Sequence, residues 1–200
     1  METLTIKSLN LLVKLDRMAQ QAYGHIATYK NDPLPNISLA RLRDKMKDSE
    51  PTMDKDNSID YGYRNFNREW TTRKSVILNA FRKETNTDNW YYDEILLQPP
   101  TMGWSAWNNN QYKHKNFIRF IHNAGEGFTH WVDKGKWTYI PDKHTTVNKD
   151  WTVIAGTMDG AQWLSDRNRS AKPRFVCEIA IPSYNRSEWE NAKEIVQSVN

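Results

Sequence analysis

Apolar residues recur at steps of three and four along the first part of the chain, which is the period of an amphipathic helix. The clearest stripe predicts a helix over residues 5–29, built on Leu11, Leu15, Met18, Ala22, Ile26 and Tyr29. Pro33 and Pro35 disfavour helical geometry in the residues before them, so this helix should end there. Shorter stripes predict a second helix over about 38–47 and a third that starts after Asn67 and reaches Glu84.

After residue 85 the pattern changes to short apolar and aromatic runs, which are typical of strands. Segments 128–132 and 136–140 flank the sequence Asp-Lys-Gly, a turn of the kind that joins the strands of a hairpin. Segments 150–156 and 173–181 are also strand-like, and the second is almost continuously apolar. The second half of the chain is therefore expected to form a sheet of hairpins.

Two further helices are predicted beside these strands. One covers about 111–123, carries Phe117, Ile118, Phe120 and Ile121, and closes at Gly125. The other follows a capping box, with Ser187 at the N-cap and Glu190 three residues later.

Together these elements predict an α+β fold, with a helical N-terminal half packed with a small, mostly antiparallel sheet in the C-terminal half, and a C-terminal helix. The 200 residues are expected to form one domain, with a helical subregion over about 1–85 and an aromatic, hairpin-rich subregion over about 86–200. Residues 48–58 are polar and contain proline, which predicts a mobile linker.

Composition narrows the function classes. Hydrophobic residues make up 38% of the chain, and an aromatic share of 12%, with nine Trp, supplies large side chains for a core. The lone Cys177 excludes an internal disulfide framework and a Cys-rich zinc site. No apolar run is long enough for a membrane helix and no signal peptide is evident, so a cytoplasmic protein without a membrane partner is expected.

The charge and the missing motifs leave the partner open. A net charge of +4 permits a nucleic-acid partner without demanding one. Phosphate-loop, dinucleotide, hydrolase, zincin and kinase signatures are absent from the sequence, so no cofactor is predicted. A small, mildly basic chain of this kind resembles many accessory proteins of viruses and mobile elements.

Histidines supply the first candidate chemistry. Four of the five lie between residues 114 and 144: His114, His122, His130 and His144. Histidine titrates near neutral pH, so His122 and His130 could serve as acid and base in phosphodiester cleavage. The alternative is that these are solvated or hydrogen-bonded histidines without a catalytic role. Their spacing with Glu126 matches no metal signature, so no metal is predicted.

Glu178 is a carboxylate inside the apolar run 173–181. Strict alternation puts Glu178 with Val176 on one side of a strand, which we expect to face solvent. The alternative is a buried carboxylate with a raised pKa, and a catalytic role if it lies opposite the histidines. Asp93 and Glu94 form a further acidic pair.

A basic loop and two tryptophans form the predicted anion-binding set. The loop 165–174 joins two strand-like segments and could hold phosphates through Arg167, Arg169, Lys172 and Arg174. Trp104 and Trp107 lie in a Gly- and Asn-rich loop and could stack on bases. The alternatives are a solvated hairpin end and core tryptophans.

Three functions remain open from the sequence. The first is a non-enzymatic binding or accessory protein that engages nucleic acid, or an acidic partner surface, through the basic loop and exposed aromatics. The second is a metal-independent enzyme that acts on a phosphodiester or nucleotide through the clustered histidines. The third is an inhibitory or structural protein that binds another protein.

Overall fold

Antiparallel sheet dominates the part of the chain that the computed structural model describes. The described residues are 1–28, 64–65, 76–98, 103–104, 114–122, 127–133, 136–141, 150–159, 162–168 and 174–198. In chain order, their elements are β1 (Glu2–Leu4), α1 (Leu9–Thr28), β2 (Arg64–Asn65), α2 (Val76–Thr85), β3 (Tyr91–Gln98), β4 (Gly103–Trp104), β5 (Lys115–His122), β6 (Gly127–Asp133), β7 (Lys136–Pro141), β8 (Trp151–Met158), β9 (Gln162–Asn168), β10 (Arg174–Pro182) and α3 (Arg186–Gln197).

The strands form two sheets. The large sheet has six strands in the order β1-β8-β5-β10-β3-β2, and the small sheet has four in the order β4-β9-β6-β7. Every pairing between neighbours is antiparallel. The hairpin predicted around residues 133–135 is confirmed, since β6 pairs with β7 from Phe128 opposite Pro141 to Asp133 opposite Lys136.

The predicted fold class, a helical N-terminal half packed with a small sheet, is wrong. Strands β1, β2 and β3 come from the first half of the chain and belong to the large sheet. Three helices stand against ten strands among the described residues. The reason for the error is that β1 and β3 carry no long apolar alternation, while α1 and α2 have clear helical periodicity.

The predicted helix over 111–123 is also wrong, because residues 115–122 form the central strand β5. Phe117, Ile118, Phe120 and Ile121 mimic a helical stripe, but two of them face each side of the strand. Phe117 and Ile121 pack toward the small sheet, whereas Ile118 and Phe120 pack toward the helices. A strand that is covered on both faces loses its alternation, and its sequence then resembles a buried helix.

The large sheet is the middle layer of the molecule. One of its faces packs against all three helices, through Leu15 of α1, Phe81 of α2 and Trp189 of α3. Its other face packs against the small sheet, through Trp131 of β6 and Leu164 of β9. Each central strand is consequently buried from end to end.

Two of the predicted helices are confirmed, with shifted ends. Helix α1 begins at Leu9, where the Ser8 hydroxyl accepts a hydrogen bond from the Leu11 amide at 3.3 Å, as an N-cap does. Helix α3 begins at Arg186 with Asn185 at the N-cap, so Ser187 lies inside the helix and does not cap it. None of the helices in the described ranges is long and apolar enough to cross a membrane.

Several predictions fall partly or wholly outside the described residues. They are the helix over 38–47, the linker over 48–58 and the start of the helix after Asn67, whose later part is α2.

Candidate functional site

Glu178 lies in the middle of the large sheet and points between the two sheets. On β10 it stands opposite Arg119 of β5 and Glu94 of β3. As predicted, it shares a side of the strand with Val176, but that side faces the small sheet and not solvent. Only 1% of the Glu178 side chain is exposed.

Four charged residues surround this carboxylate, and together with Glu178 they form what we name the ionic cluster: Asp93, Glu94, Lys115, Arg119 and Glu178. Lys115 Nζ donates to Glu178 Oε1 at 2.6 Å and also to Asp93. Arg119 Nε donates to Glu178 Oε2 at 2.7 Å, and its terminal amine donates to Glu94. Each carboxylate oxygen of Glu178 therefore accepts a hydrogen bond from a different buried cation.

A β-bulge on β3 lets that strand supply two acidic residues to the cluster. The register passes from Glu178 opposite Glu94 to Ile179 opposite Tyr92, which leaves Asp93 as the extra residue. Without the bulge, neighbouring residues of a strand would point to opposite faces. The bulge instead lets Asp93 and Glu94 both reach the cations of β5.

The two cations hold Glu178 in its ionised form. Burial alone would raise the pKa of Glu178, but the charges and hydrogen bonds of Lys115 and Arg119 outweigh burial and lower this pKa to about 2. Burial alone would lower the pKa of Lys115 and that of Arg119. The neighbouring carboxylates outweigh burial and raise both pKa values. All three groups are charged at neutral pH.

Glu94 responds to the same surroundings in the opposite direction. Burial raises the pKa of its carboxyl, Arg119 opposes the rise, and the negative charge of Glu178 adds to it. Glu94 is also less enclosed than its partner, with 14% of its side chain exposed. Beside the cluster, burial and Asp93 raise the pKa of Tyr91 to about 12, which keeps its hydroxyl protonated.

Arg174, predicted to lie on the solvent-exposed basic loop, is buried instead. It is the first residue of β10 and its side chain has no exposed surface. Its guanidinium donates to Thr129 Oγ1 of the small sheet at 3.4 Å. Its positive charge also acts on Arg119, so it extends the charged interior beyond the ionic cluster.

His122 lies on the opposite face of the large sheet from Glu178. Its Nδ1 is 2.6 Å from the Tyr23 hydroxyl of α1, and its ring lies edge-on to Trp151 with centroids 5.0 Å apart. Burial lowers the pKa of His122, and the charge of Asp16 only partly opposes this. The structure therefore does not bring His122 and Glu178 together.

The other predicted histidines do not form a described cluster. His130 lies on β6 opposite Tyr139 and Ser165, and its side chain is outside the described part of the structure. His114 is exposed before β5, and His144 is outside the described residues. Within the described ranges, no three His, Cys, Asp or Glu side chains group closely enough to hold a metal ion.

The predicted anion-binding residues are only partly described. The backbone of Trp104 in β4 pairs with that of Arg167 in β9, and the side chains of both are outside the described part. Trp107, Arg169 and Lys172 lie outside the described residues altogether.

Sequence reasoning missed Lys115 and Arg119 as site residues because the segment was read as a helix. The available signal was the spacing of two cations in an otherwise apolar run, four residues apart and therefore on one face of a strand. Glu178, a carboxylate in another apolar run, is the matching signal on the neighbouring strand.

Comparisons with known proteins give only distant similarity. No family model matches the sequence, and no curated protein matches it. Among solved structures, this chain is similar to hazelnut (Corylus avellana) vicilin, with 15% identity over 57% of this chain and 26% of that chain and a TM-score of 0.37. It is similar to a predicted oxalate decarboxylase of Thermotoga maritima, with 15% identity over 50% and 73% of the two chains and a TM-score of 0.33.

A third similar structure is the cupin domain of Cnp3 from Schizosaccharomyces pombe, with 13% identity over 55% of this chain and 65% of that chain and a TM-score of 0.31. The chain thus spans about a quarter of the vicilin chain that it matches. At these TM-scores, the matches carry no argument about the fold, ligand, reaction or partner of this chain.

Proposed function

We propose that the ionic cluster is an acid–base site that acts on a small polar substrate at the partly exposed Glu94. Glu94 exchanges the proton, while Glu178, Lys115 and Arg119 are fixed charges that hold it in place. The observation that supports this proposal is the contrast between two carboxyls on neighbouring strands. They share Arg119, yet the pKa of Glu94 is raised and that of Glu178 is lowered.

Burying so many charges is costly for a purely structural purpose. Taking an ion out of water costs several kcal/mol even after relaxation, and well-packed apolar residues often replace a buried ion pair without loss of stability. Perturbed titratable groups that gather in one place are typical of functional sites. Carboxyl pairs whose pKa values are pushed apart are typical of acid–base assignments.

Their different surroundings give Glu178 and Glu94 different roles in this proposal. Glu178 is clamped by two cations and stays ionised, so it positions Lys115 and Arg119 without exchanging a proton. Glu94 retains its proton to higher pH and is the more exposed of the pair. When its proton passes to a basic atom of the substrate, Arg119 compensates the negative charge left on Glu94, and the reverse step restores the acid.

The test follows the Glu94 carboxyl directly. Protein labelled with ¹³C at glutamate carboxyls would be titrated by NMR, with the Glu94 and Glu178 signals assigned from Glu94→Gln and Glu178→Gln. Pools of hydroxy acids, amino acids, sugars and sugar phosphates would then be added, and the same samples in D₂O would be analysed by mass spectrometry for conversion or deuterium uptake.

We expect Glu94 to titrate above Glu178, at least one pool to shift the Glu94 signal, and a compound of that pool to be converted or deuterated. Glu94→Gln should abolish the turnover, and Glu194→Gln, on the exposed side of α3, should retain it. Coincident titration of the two carboxyls, turnover that persists in Glu94→Gln, or the absence of any turnover would contradict the proposal.

Nucleic-acid binding stays a second candidate on one specific observation. The pairing of β4 with β9 sets Trp104, predicted to stack on bases, directly opposite Arg167, predicted to hold phosphate. Anisotropy of labelled single-stranded DNA and RNA between about 50 and 200 mM salt tests it, since binding through several phosphates weakens steeply over that range. Binding that is absent at the low-salt end would contradict it.

A further inference from the structure

A cleft opens between the two sheets at the β1 and β8 edge of the large sheet. It consists of two adjoining cavities of about 380 and 310 Å³, and both are lined by Met1, Glu2, Trp131 and Asp133. Volumes near 300 Å³ and above are those of sites that hold small molecules. Because Phe117 packs against Trp131 at 6.0 Å between ring centroids, its ring lies between this cleft and Lys115 of the ionic cluster.

Trp131 supplies an aromatic surface to the cleft. Its side chain is 5% exposed, and it belongs to the apolar core between the sheets. Packing against Phe117 fixes the indole ring, so the part that reaches the cleft is a rigid surface. A rigid aromatic surface binds apolar C–H groups at little cost in conformational entropy.

Asp133 supplies a fixed acceptor next to this ring. The Gln162 side chain accepts a hydrogen bond from the Asp159 amide at 2.7 Å and donates to Asp133 Oδ1 at 3.1 Å. Gln162 is itself buried, so its amide and the carboxylate it contacts are held in place. No residue in the described ranges donates a hydrogen bond to the second oxygen, Oδ2.

The charges that line the cleft favour a neutral ligand. Glu2 pairs with Lys193, and Arg186 pairs with Glu190 at 2.9 Å, so these charges are already compensated. Asp133 and Lys136 have opposite charge and stand opposite each other in the β6–β7 hairpin. A ligand with a net charge would leave one member of this last pair uncompensated.

We propose that this cleft binds a neutral polyhydroxylated ligand of the sugar class. C–H groups of the sugar contact the small exposed part of Trp131, its hydroxyls donate to Asp133 Oδ2, and Lys136 donates to its hydroxyl oxygens. The Thr3 and Thr138 hydroxyls line the same space and supply further donors and acceptors. This proposal is independent of the acid–base site, because none of its residues belongs to the ionic cluster.

The experiment is saturation-transfer NMR and calorimetry on the full chain with glucose, galactose, mannose, N-acetylglucosamine and maltose. We expect at least one of them to bind with a Kd of about 1 mM or tighter, which corresponds to about −4 kcal/mol. Asp133→Asn should weaken that binding at least tenfold. The matched control Asp88→Asn, at an exposed aspartate outside the cleft, should leave the Kd within twofold.

A second variant separates a loss of sugar binding from a loss of folding. Trp131→Phe keeps an aromatic ring in the core, so it should remain folded by circular dichroism while binding the same sugar several-fold more weakly. Failure of every sugar to bind at about ten times the expected Kd would overturn the proposal. Binding that is unchanged in Asp133→Asn would overturn it too, because the sugar would then occupy another site.

Discussion

Glu94 and Glu178 stand directly opposite each other on neighbouring strands, and both accept hydrogen bonds from Arg119. Lys115 adds a second cation to Glu178, whereas Glu94 has Arg119 and a larger exposed surface. The pKa values of two identical side chains consequently move in opposite directions. Their ionisation should therefore be separable by mutation and by pH.

Removal of the Glu178 charge should destabilise the fold strongly. In Glu178→Gln, Lys115 and Arg119 each lose a buried anion, and breaking a buried ion pair from one side typically costs about 3–5 kcal/mol. Urea unfolding at neutral pH measures this free energy. Glu194→Gln, at an exposed residue of α3, is the control and should change stability by less than about 0.5 kcal/mol. A loss below about 1 kcal/mol would show that the cations are compensated without Glu178.

The dependence of stability on pH should separate Glu94 from Glu178. Glu178, with its pKa lowered from 4.5 to about 2, contributes stability above about pH 4.5 that is lost as the pH falls toward 2. Glu94, with its pKa raised above 4.5, contributes in the opposite sense, since stability is lost as the pH rises through its folded-state value.

In Glu94→Gln the side chain at position 94 cannot ionise. This variant should therefore not lose stability as the pH rises through the folded-state pKa of Glu94. Urea unfolding of both proteins from about pH 4 to pH 8 should show wild type losing stability relative to Glu94→Gln as the pH rises. Parallel stability profiles for the two proteins over that range would contradict a raised pKa at Glu94.

His122 should make stability fall on the acid side of neutral pH. Burial lowers its pKa below 6.5, so its contribution is complete above about pH 6.5 and is lost as the pH falls through the folded-state value. The variant His122→Gln should flatten the slope of unfolding free energy against pH between about 6.5 and 5. His114→Gln, at an exposed histidine on the same segment, is the matched control. An identical slope in wild type and His122→Gln would rule out this assignment.

The sequence predicted the helices that have a strong apolar period, but it did not predict the strand that is buried on both faces. Helices α1 and α3 have one apolar face each, so their stripes were recognised. Strand β5 is covered by helices on one face and by the small sheet on the other, so Phe117 and Ile118 are both apolar and the alternation disappears. The same double coverage explains why Glu178 was expected in solvent, since nothing in a strand's own sequence shows which sheet will cover it.

The candidate site required information that lies far apart along the chain. Glu178 was identified as unusual, but Arg119 and Glu94 reach it only through pairing with β5 and β3. The bulge at Asp93 changes which face its side chain takes, and a fixed period of two cannot anticipate such a change. The histidines that lie close together in the sequence were predicted as the site instead. His122, however, faces the helices and not the ionic cluster.

The contact between Gly156 and Phe117 offers a last test of how the sheets pack. A Cβ at position 156 would lie 2.9 Å from Cζ of Phe117, closer than side-chain carbons approach. Because Phe117 is fully buried between the sheets and touches Trp131, it has little room to move. Gly156→Ala should therefore cost about 1–3 kcal/mol of unfolding free energy, as overpacked cores do.

A double-mutant cycle with Phe117→Leu measures whether this contact is the cause. The shorter side chain removes the ring atoms that the new methyl group would meet, so Gly156→Ala should cost at least about 0.5 kcal/mol less in the Phe117→Leu background. Thermal or urea unfolding of the four proteins gives the coupling energy. Strictly additive effects would contradict this explanation. The loss of stability in Gly156→Ala would then have a cause other than contact with the Phe117 ring.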